Sequence, residues 1–177
     1  KSLTAAEEDG RITPEDAGLI REYVAESSSK LSPGRQFKTT YTLIAGRRYL
    51  PPFLETKKAD LLAGVNRMRY AKKDDGTPYA KNTIADYVRF SKRFFLWLAK
   101  RGYVEIPADV IKEIKNPQYN TQTKTEDNIL TGEEVSQLID AAKSLKYKAL
   151  ISVMYEGGLR SGEVASLKWK DVTFVEW

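Results

Sequence analysis

The sequence contains no cysteine and no histidine. Without cysteine, disulfides and thiolate metal sites are excluded. Without histidine, the commonest metal ligand and the commonest general base are missing. A metal or thiol enzyme is therefore close to excluded, and neither metal nor cofactor is expected. Long apolar runs are absent as well. Nothing approaches bilayer-spanning length, and the opening residues lack a signal-peptide pattern. No membrane partner is expected, and a cytoplasmic setting is. Acidic residues are missing in patches. None occurs from Ser27 to Leu54, where Lys30, Arg35, Lys38, Arg47 and Arg48 stand. Between Lys81 and Arg101 the single acid is Asp86, against Lys81, Arg89, Lys92, Arg93, Lys100 and Arg101.

What is present reads as an ordinary globular chain. Its 177 residues suffice for one large or two small domains. The net charge of +5 suits a polyanionic partner without proving one.

Four helices are predicted over residues 13–102. Thr13-Pro14 opens the first, with a cap followed by proline at the first helical position. Ala17, Ile20, Tyr23 and Val24 form its apolar stripe. Ser32-Pro33 opens the second. Phe37, Tyr41, Ile44, Ala45 and Arg48 fall near one face, and Arg35, Lys38, Thr39, Thr42 and Gly46 near the other. Basic residues mixed with threonine on an amphipathic helix suit phosphate and base-edge contacts; the plainer reading is a solvated cationic face. Thr56 is expected to cap the third helix, whose core candidates are Ala59, Leu61, Leu62, Val65 and Met68. The fourth and longest starts near Asn82 or Thr83 and stops at Gly102. Its buried stripe is Ile84, Val88, Ser91, Phe94, Phe95 and Leu98.

Residues 115–127 are polar and poor in apolar side chains, which predicts a mobile, extended linker. Thr131-Gly132-Glu133-Glu134 then reads as a capping box, opening a helix with Val135, Leu138, Ile139 and Ala142 inward. Residues 149–155 are an apolar run expected to form a buried helix, stopped at Gly157-Gly158. A short helix starts near Ser161, with Glu163 in its first turn, and residues 172–175 read as a strand. Arg160 sits at the corner between the two helices, where its guanidinium can aim a fork of donors at a phosphate.

The ordered run Gly158, Leu159, Arg160, Glu163, Leu167, Lys168, Trp169 and Asp171 resembles the first arginine box of the tyrosine recombinases, the phage integrase family. The four-helix module resembles that family's core-binding domain, through Lys81-Asn82-Thr83-Ile84-Ala85-Asp86-Tyr87 and Phe94-Phe95-Leu96-Trp97-Leu98. The resemblance implies a mainly α fold: a helical-bundle (SAM-like) core-binding domain, then the first helices and first strand of an α+β catalytic domain. The divisions it suggests are a flexible N-terminus (1–12), a DNA-binding domain (13–114), a linker (115–127) and the front of a catalytic domain (128–177).

The function it implies is cutting and rejoining DNA through a 3′-phosphotyrosyl intermediate, with double-stranded DNA as partner. Self-association into a tetrameric synapse is implied only for a full-length protein on DNA. Arg160 matches the first catalytic arginine, and Glu163 is expected to brace the corner. Arg35, Lys38, Thr39, Thr42, Lys81, Asn82, Thr83, Arg89 and Lys92 are the candidate DNA contacts. The family's His-x-x-Arg box has no match, and no tyrosine follows Arg160. The expectation is a fragment that binds duplex DNA and is inactive alone. Two alternatives stay open. One is a non-enzymatic helix-turn-helix regulator with Ser161, Lys168 and Lys170 facing bases. The other is a helical protein-interaction module whose charge is incidental.

Overall fold

Thr13 caps the first long helix as expected: its hydroxyl accepts from the Asp16 amide at 3.1 Å, and the Asp16 carboxylate accepts from the Thr13 amide at 3.2 Å. In the computed structural model, which describes residues 2–121 and 129–173, this helix is α2 (Pro14–Ser27). It follows α1 (Ser2–Glu8). Residues 2–12, where a flexible end was expected, hold α1 and the turn after it. Ala6 and Ile12 give them apolar surface to bury, and both lie in the core. The remaining helices are α3 (Pro33–Arg47), α4 (Lys58–Arg69), α5 (Lys81–Arg101), α6 (Ala108–Glu113), α7 (Gly132–Ala141), α8 (Leu145–Glu156) and α9 (Ser161–Ser166). Among the described residues there is no strand. An isolated bridge pairs Lys72 with Pro78. No described helix is long and apolar enough to cross a membrane.

The chain divides into two compact units, residues 1–121 and 122–177. In unit 1, α5 is the central helix and packs on α3, α4 and α6. Its expected stripe holds except at Ile84, which is half-buried: Val88, Ser91, Phe94, Phe95 and Leu98 are buried, with Tyr87 and Phe90 beside them. Phe94 meets Phe53 edge-on at 4.9 Å between ring centroids and stacks on Trp97 at 5.8 Å, geometries that aromatic rings prefer. Thr56 does not cap α4. Lys57 takes that position, and the Thr56 hydroxyl donates to the Pro52 carbonyl at 3.1 Å. Ala59 and Leu62 are exposed, while Leu61, Val65 and Met68 fill the core.

The faces of α3 are divided differently from the expectation: Ile44 is buried together with Thr39, Thr42 and Gly46, while Phe37 and Tyr41 lie outward with Arg35 and Lys38. Thr39 and Thr42 are only 2% and 5% exposed, whereas Phe37 and Tyr41 are 65% and 58% exposed. Small residues on the inner face let α3 approach α5 closely. A Cβ added at Gly46 would lie 3.4 Å from the Ser91 hydroxyl. Thr39 tolerates burial because its hydroxyl donates to the Arg35 carbonyl at 2.8 Å, the back-bond open to threonine in a helix.

A buried carboxylate ties these elements together. Asp16 is 1% exposed and accepts from Arg47 Nε at 2.6 Å and from the Phe53 amide at 2.8 Å. Arg47 also donates to the Leu50 carbonyl.

Unit 2 holds α7, α8 and α9. The predicted capping box is present, with the Thr131 amide donating to Glu134 at 2.8 Å. Val135 is buried, but Leu138 is exposed. Residues 149–155 lie in α8 as expected, yet no residue of α8 is buried. Apolar side chains surround this helix, and α7 and α9 cover only part of its circumference. Phe174 and Val175, half of the expected strand, fall outside the described residues. Val172 and Thr173 follow a 3-10 turn, Trp169–Asp171, in no regular element.

Replacing Asp16 by Ala leaves the largely buried Arg47 guanidinium and the Phe53 amide without their acceptor. Urea unfolding is expected to show a loss of about 3–5 kcal/mol. A loss under ~1 kcal/mol, the value of an exposed pair, would contradict this role for the carboxylate.

Candidate nucleic-acid interface and arginine corner

On unit 1, helical spacing brings most of the predicted cations to the outer faces of α3 and α5. Two of the predicted contacts drop out, because Thr39 and Thr42 face the core. Arg35 remains exposed, its guanidinium 5.8 Å from the Phe90 ring centroid. Lys38 is exposed too, but its Nζ lies 2.7 Å from Asp86 Oδ2. Lys81 opens α5 and is exposed, and Thr83 is half-buried one turn in.

The other α5 candidates are engaged by the chain itself. Lys92 Nζ donates to the Lys112 and Ile114 carbonyls, both at 2.6 Å, satisfying carbonyls at the end of α6 that the helix leaves open. Arg69 on α4 donates to the Lys115 carbonyl at 2.6 Å. Arg89 sits 4.3 Å from the Tyr119 ring centroid, a close cation–π contact. The Tyr119 hydroxyl donates to Asp86. Asn82 grips Asn120 at two points: its Nδ2 donates to the Asn120 carbonyl at 3.0 Å, and its Oδ1 accepts from the Asn120 amide at 2.7 Å. Residues 114–120 therefore form a strap along α5, where a mobile linker was expected. Residues 122–127 of that linker lie outside the described residues.

Asp86 organises this surface. One carboxylate serves Lys38 from α3 and Tyr119 from the strap. Burial first, and then the hydrogen bond to Asp86, push the Tyr119 phenol above its ordinary value, so it stays a donor. Asp86 and Tyr119 were not among the predicted site residues. The signal was a lone acid on a basic helix, followed thirty-three residues later by an aromatic in a polar stretch. Phe37 and Tyr41 were expected on the face opposite Arg35 and Lys38. They stand one turn apart on the open face of α3, beside Lys38.

In unit 2 the corner is built by backbone. Gly158 has φ +59°, a left-handed turn that glycine takes without strain. The chain then re-enters a helix with Arg160 as the residue before its first turn. Glu163 accepts from the Arg160 amide at 2.7 Å and from its Nη1 at 3.3 Å. The guanidinium side chain is 87% exposed. The corner thus holds the base of the arginine while its donors face outward. Beside it, Ala149, Leu150, Val153, Val164 and Leu167 line an apolar groove of about 680 Å³ between α8 and α9. No group of three or more acids able to hold a metal occurs among the described residues.

Residues 128–176 match the model of the phage integrase family. The chain is 29% identical over 118 residues to a tyrosine recombinase XerC-like protein of Caldanaerobacter subterraneus, covering 66% of this chain and 30% of that protein. It is 32% identical over 99 residues to a tyrosine recombinase of Thermosipho africanus, covering 54% and 33%. It is 48% identical over 48 residues to transposase A from transposon Tn554 of Staphylococcus aureus, covering 27% and 13%. The chain therefore spans about a third or less of the length of these curated relatives. No solved structure matches it.

Replacing Asn82 by Ala removes both bonds to Asn120. Hydrogen exchange at the Asn120 amide is expected to quicken by roughly five- to tenfold, the worth of one ordinary hydrogen bond. Unchanged exchange would mean that the strap is held without this side chain.

Proposed function

Since its sequence places this chain in the phage integrase family, the tyrosine recombinases, we propose that it is the DNA-gripping front of a site-specific recombinase. Unit 1 holds duplex DNA through the outer faces of α3 and α5. Unit 2 contributes Arg160 to the reacting phosphate. The observation that carries this reading is the Arg160 corner: an outward guanidinium, fixed at its base by Glu163 and the Gly158 turn, inside the segment that matches the family.

The chemistry assigns each group a task. Attack of a tyrosine on a backbone phosphate builds negative charge on the equatorial oxygens of a phosphorane-like state. Arg160 supplies planar, permanently charged donors there. Its helix-corner position limits the reorganisation needed as that charge develops. Glu163 acts as a brace, not as an acid or base. No tyrosine follows Arg160 in these residues, and the role proposed for them is to bind DNA and to present Arg160. Cleavage, and the tetrameric synapse, belong to a full-length protein acting on DNA inside the cell.

On α3 and α5 the reading leans on Arg35, Lys38, Lys81 and Thr83, which stay accessible or partly so. Arg89, Lys92 and Asn82 reach DNA only if the strap yields. A titration of the chain with random-sequence duplex across salt concentrations is expected to give a log–log slope of roughly −4 to −5. Arg35→Ala and Lys81→Ala are each expected to make that slope shallower by about one. Binding that depends instead on Lys168 and Lys170 would favour the helix-turn-helix regulator. No binding at low salt would remove both DNA readings.

In a longer protein that carries the nucleophile, Arg160→Ala is expected to slow strand cleavage by about 100–1000-fold, the cost of losing one preorganised donor. DNA binding is expected to stay largely intact. Near-normal cleavage by that variant would remove the catalytic assignment.

A further inference from the structure

The open face of α3 carries large apolar side chains where a solvated helix carries polar ones. Phe37 and Tyr41 are one turn apart, and the small threonines Thr39 and Thr42 take the inner positions instead. Arg35 and Lys38 flank the aromatics, and this stretch of sequence has no acid. The face therefore combines positive charge, which suits phosphates, with apolar rings, which phosphates do not need.

We propose that Phe37 and Tyr41 are specificity-determining residues that read thymine 5-methyl groups in the major groove. The proposal rests on the duplex-DNA reading of unit 1 and adds which base feature is recognised. An α-helix fits the major groove, and the edges there offer donors, acceptors and one apolar group, the thymine methyl. Phenylalanine has neither donor nor acceptor, so that methyl is the edge feature it can favour. The arrangement also suits a groove better than a wedge. Side chains that pry base steps apart enter from the minor groove, and both rings here lie along one turn of a 15-residue helix, α3. Arg35 and Lys38 sit close enough in sequence to meet the flanking phosphates while the rings face the floor.

The test compares two duplexes by fluorescence anisotropy with the full chain: an alternating A·T duplex, and the same duplex with every thymine replaced by deoxyuridine. Loss of one buried methyl is expected to weaken binding about fourfold, and of two about fifteenfold. The variant with Phe37→Ala and Tyr41→Ala is expected to bind both duplexes equally, at the level the parent shows for deoxyuridine. Both side chains are exposed, so a circular-dichroism melt of the variant should match that of the parent. Equal affinity of the parent for the two duplexes would overturn the proposal and leave the DNA reading standing. So would discrimination that survives in the variant, which would put the methyl contact elsewhere. A variant weakened well below the parent's deoxyuridine level would point to a wedge or a scaffold role, and would also overturn it. Failure of the parent to bind either duplex at low salt would overturn the DNA reading itself. Loss of self-association on the same two substitutions, without methyl discrimination in the parent, would assign the face to a second copy of the chain.

Discussion

Asp16 is the point at which the front half of unit 1 is fastened. Its carboxylate closes the cap of α2, holds the guanidinium at the end of α3 and receives the amide of Phe53. The cap of α2, Arg47 and Phe53 thus converge on two oxygens, the last two lying 31 and 37 residues on from Asp16. A buried charge is costly unless its lone pairs are filled, and here donors from all three fill them. Phe53 is then positioned against Phe94, and Phe94 against Trp97. Trp97 donates to Glu26 at 2.8 Å, which returns the chain of contacts to the far end of α2. The bundle is closed by a polar link at one end of α2 and an aromatic-to-acid link at the other.

The two units differ in how far they satisfy their own apolar surface. Unit 1 encloses large side chains completely: Phe53, Phe94, Phe95, Leu43 and Met68 are all inside. In unit 2, Val135 is buried, while Leu145, Tyr147 and Val153 are exposed. That contrast matches the division of labour proposed above. A DNA grip must hold a shape by itself. An arginine corner needs only a short rigid turn, which Gly158 and Glu163 provide locally.

Local chemistry was readable in the sequence, and tertiary choices were less so. Thr13, Thr131 and the α5 stripe follow from capping and helical period, which depend on neighbours a few residues away. The rotation of α3 does not. Periodicity alone would bury Phe37 and Tyr41, but α3 meets α5 across Gly46 and Ser91, and that close approach admits threonine and excludes a ring. Thr56 fails as a cap because Pro51 and Pro52 turn the preceding chain and claim its hydroxyl. On the candidate site, charge counting found the basic helices. It could not tell which cations the strap would occupy, since Asn82 and Asn120 are 38 residues apart. The lone acid Asp86 was visible as an exception on its helix, but its role needed Tyr119 in view.

The strap is held largely by its main chain. Lys92 meets the carbonyls of Lys112 and Ile114, Arg69 meets that of Lys115, and Asn82 reads the amide and carbonyl of Asn120. Every residue type presents a carbonyl, and all but proline an amide. Lys112, Lys115 and Asn120 could therefore drift through substitution without losing these particular bonds. Apart from Tyr119, which meets Asp86 and Arg89, and Ile114, which is buried in the core, the information that keeps the strap in place is written on α4 and α5.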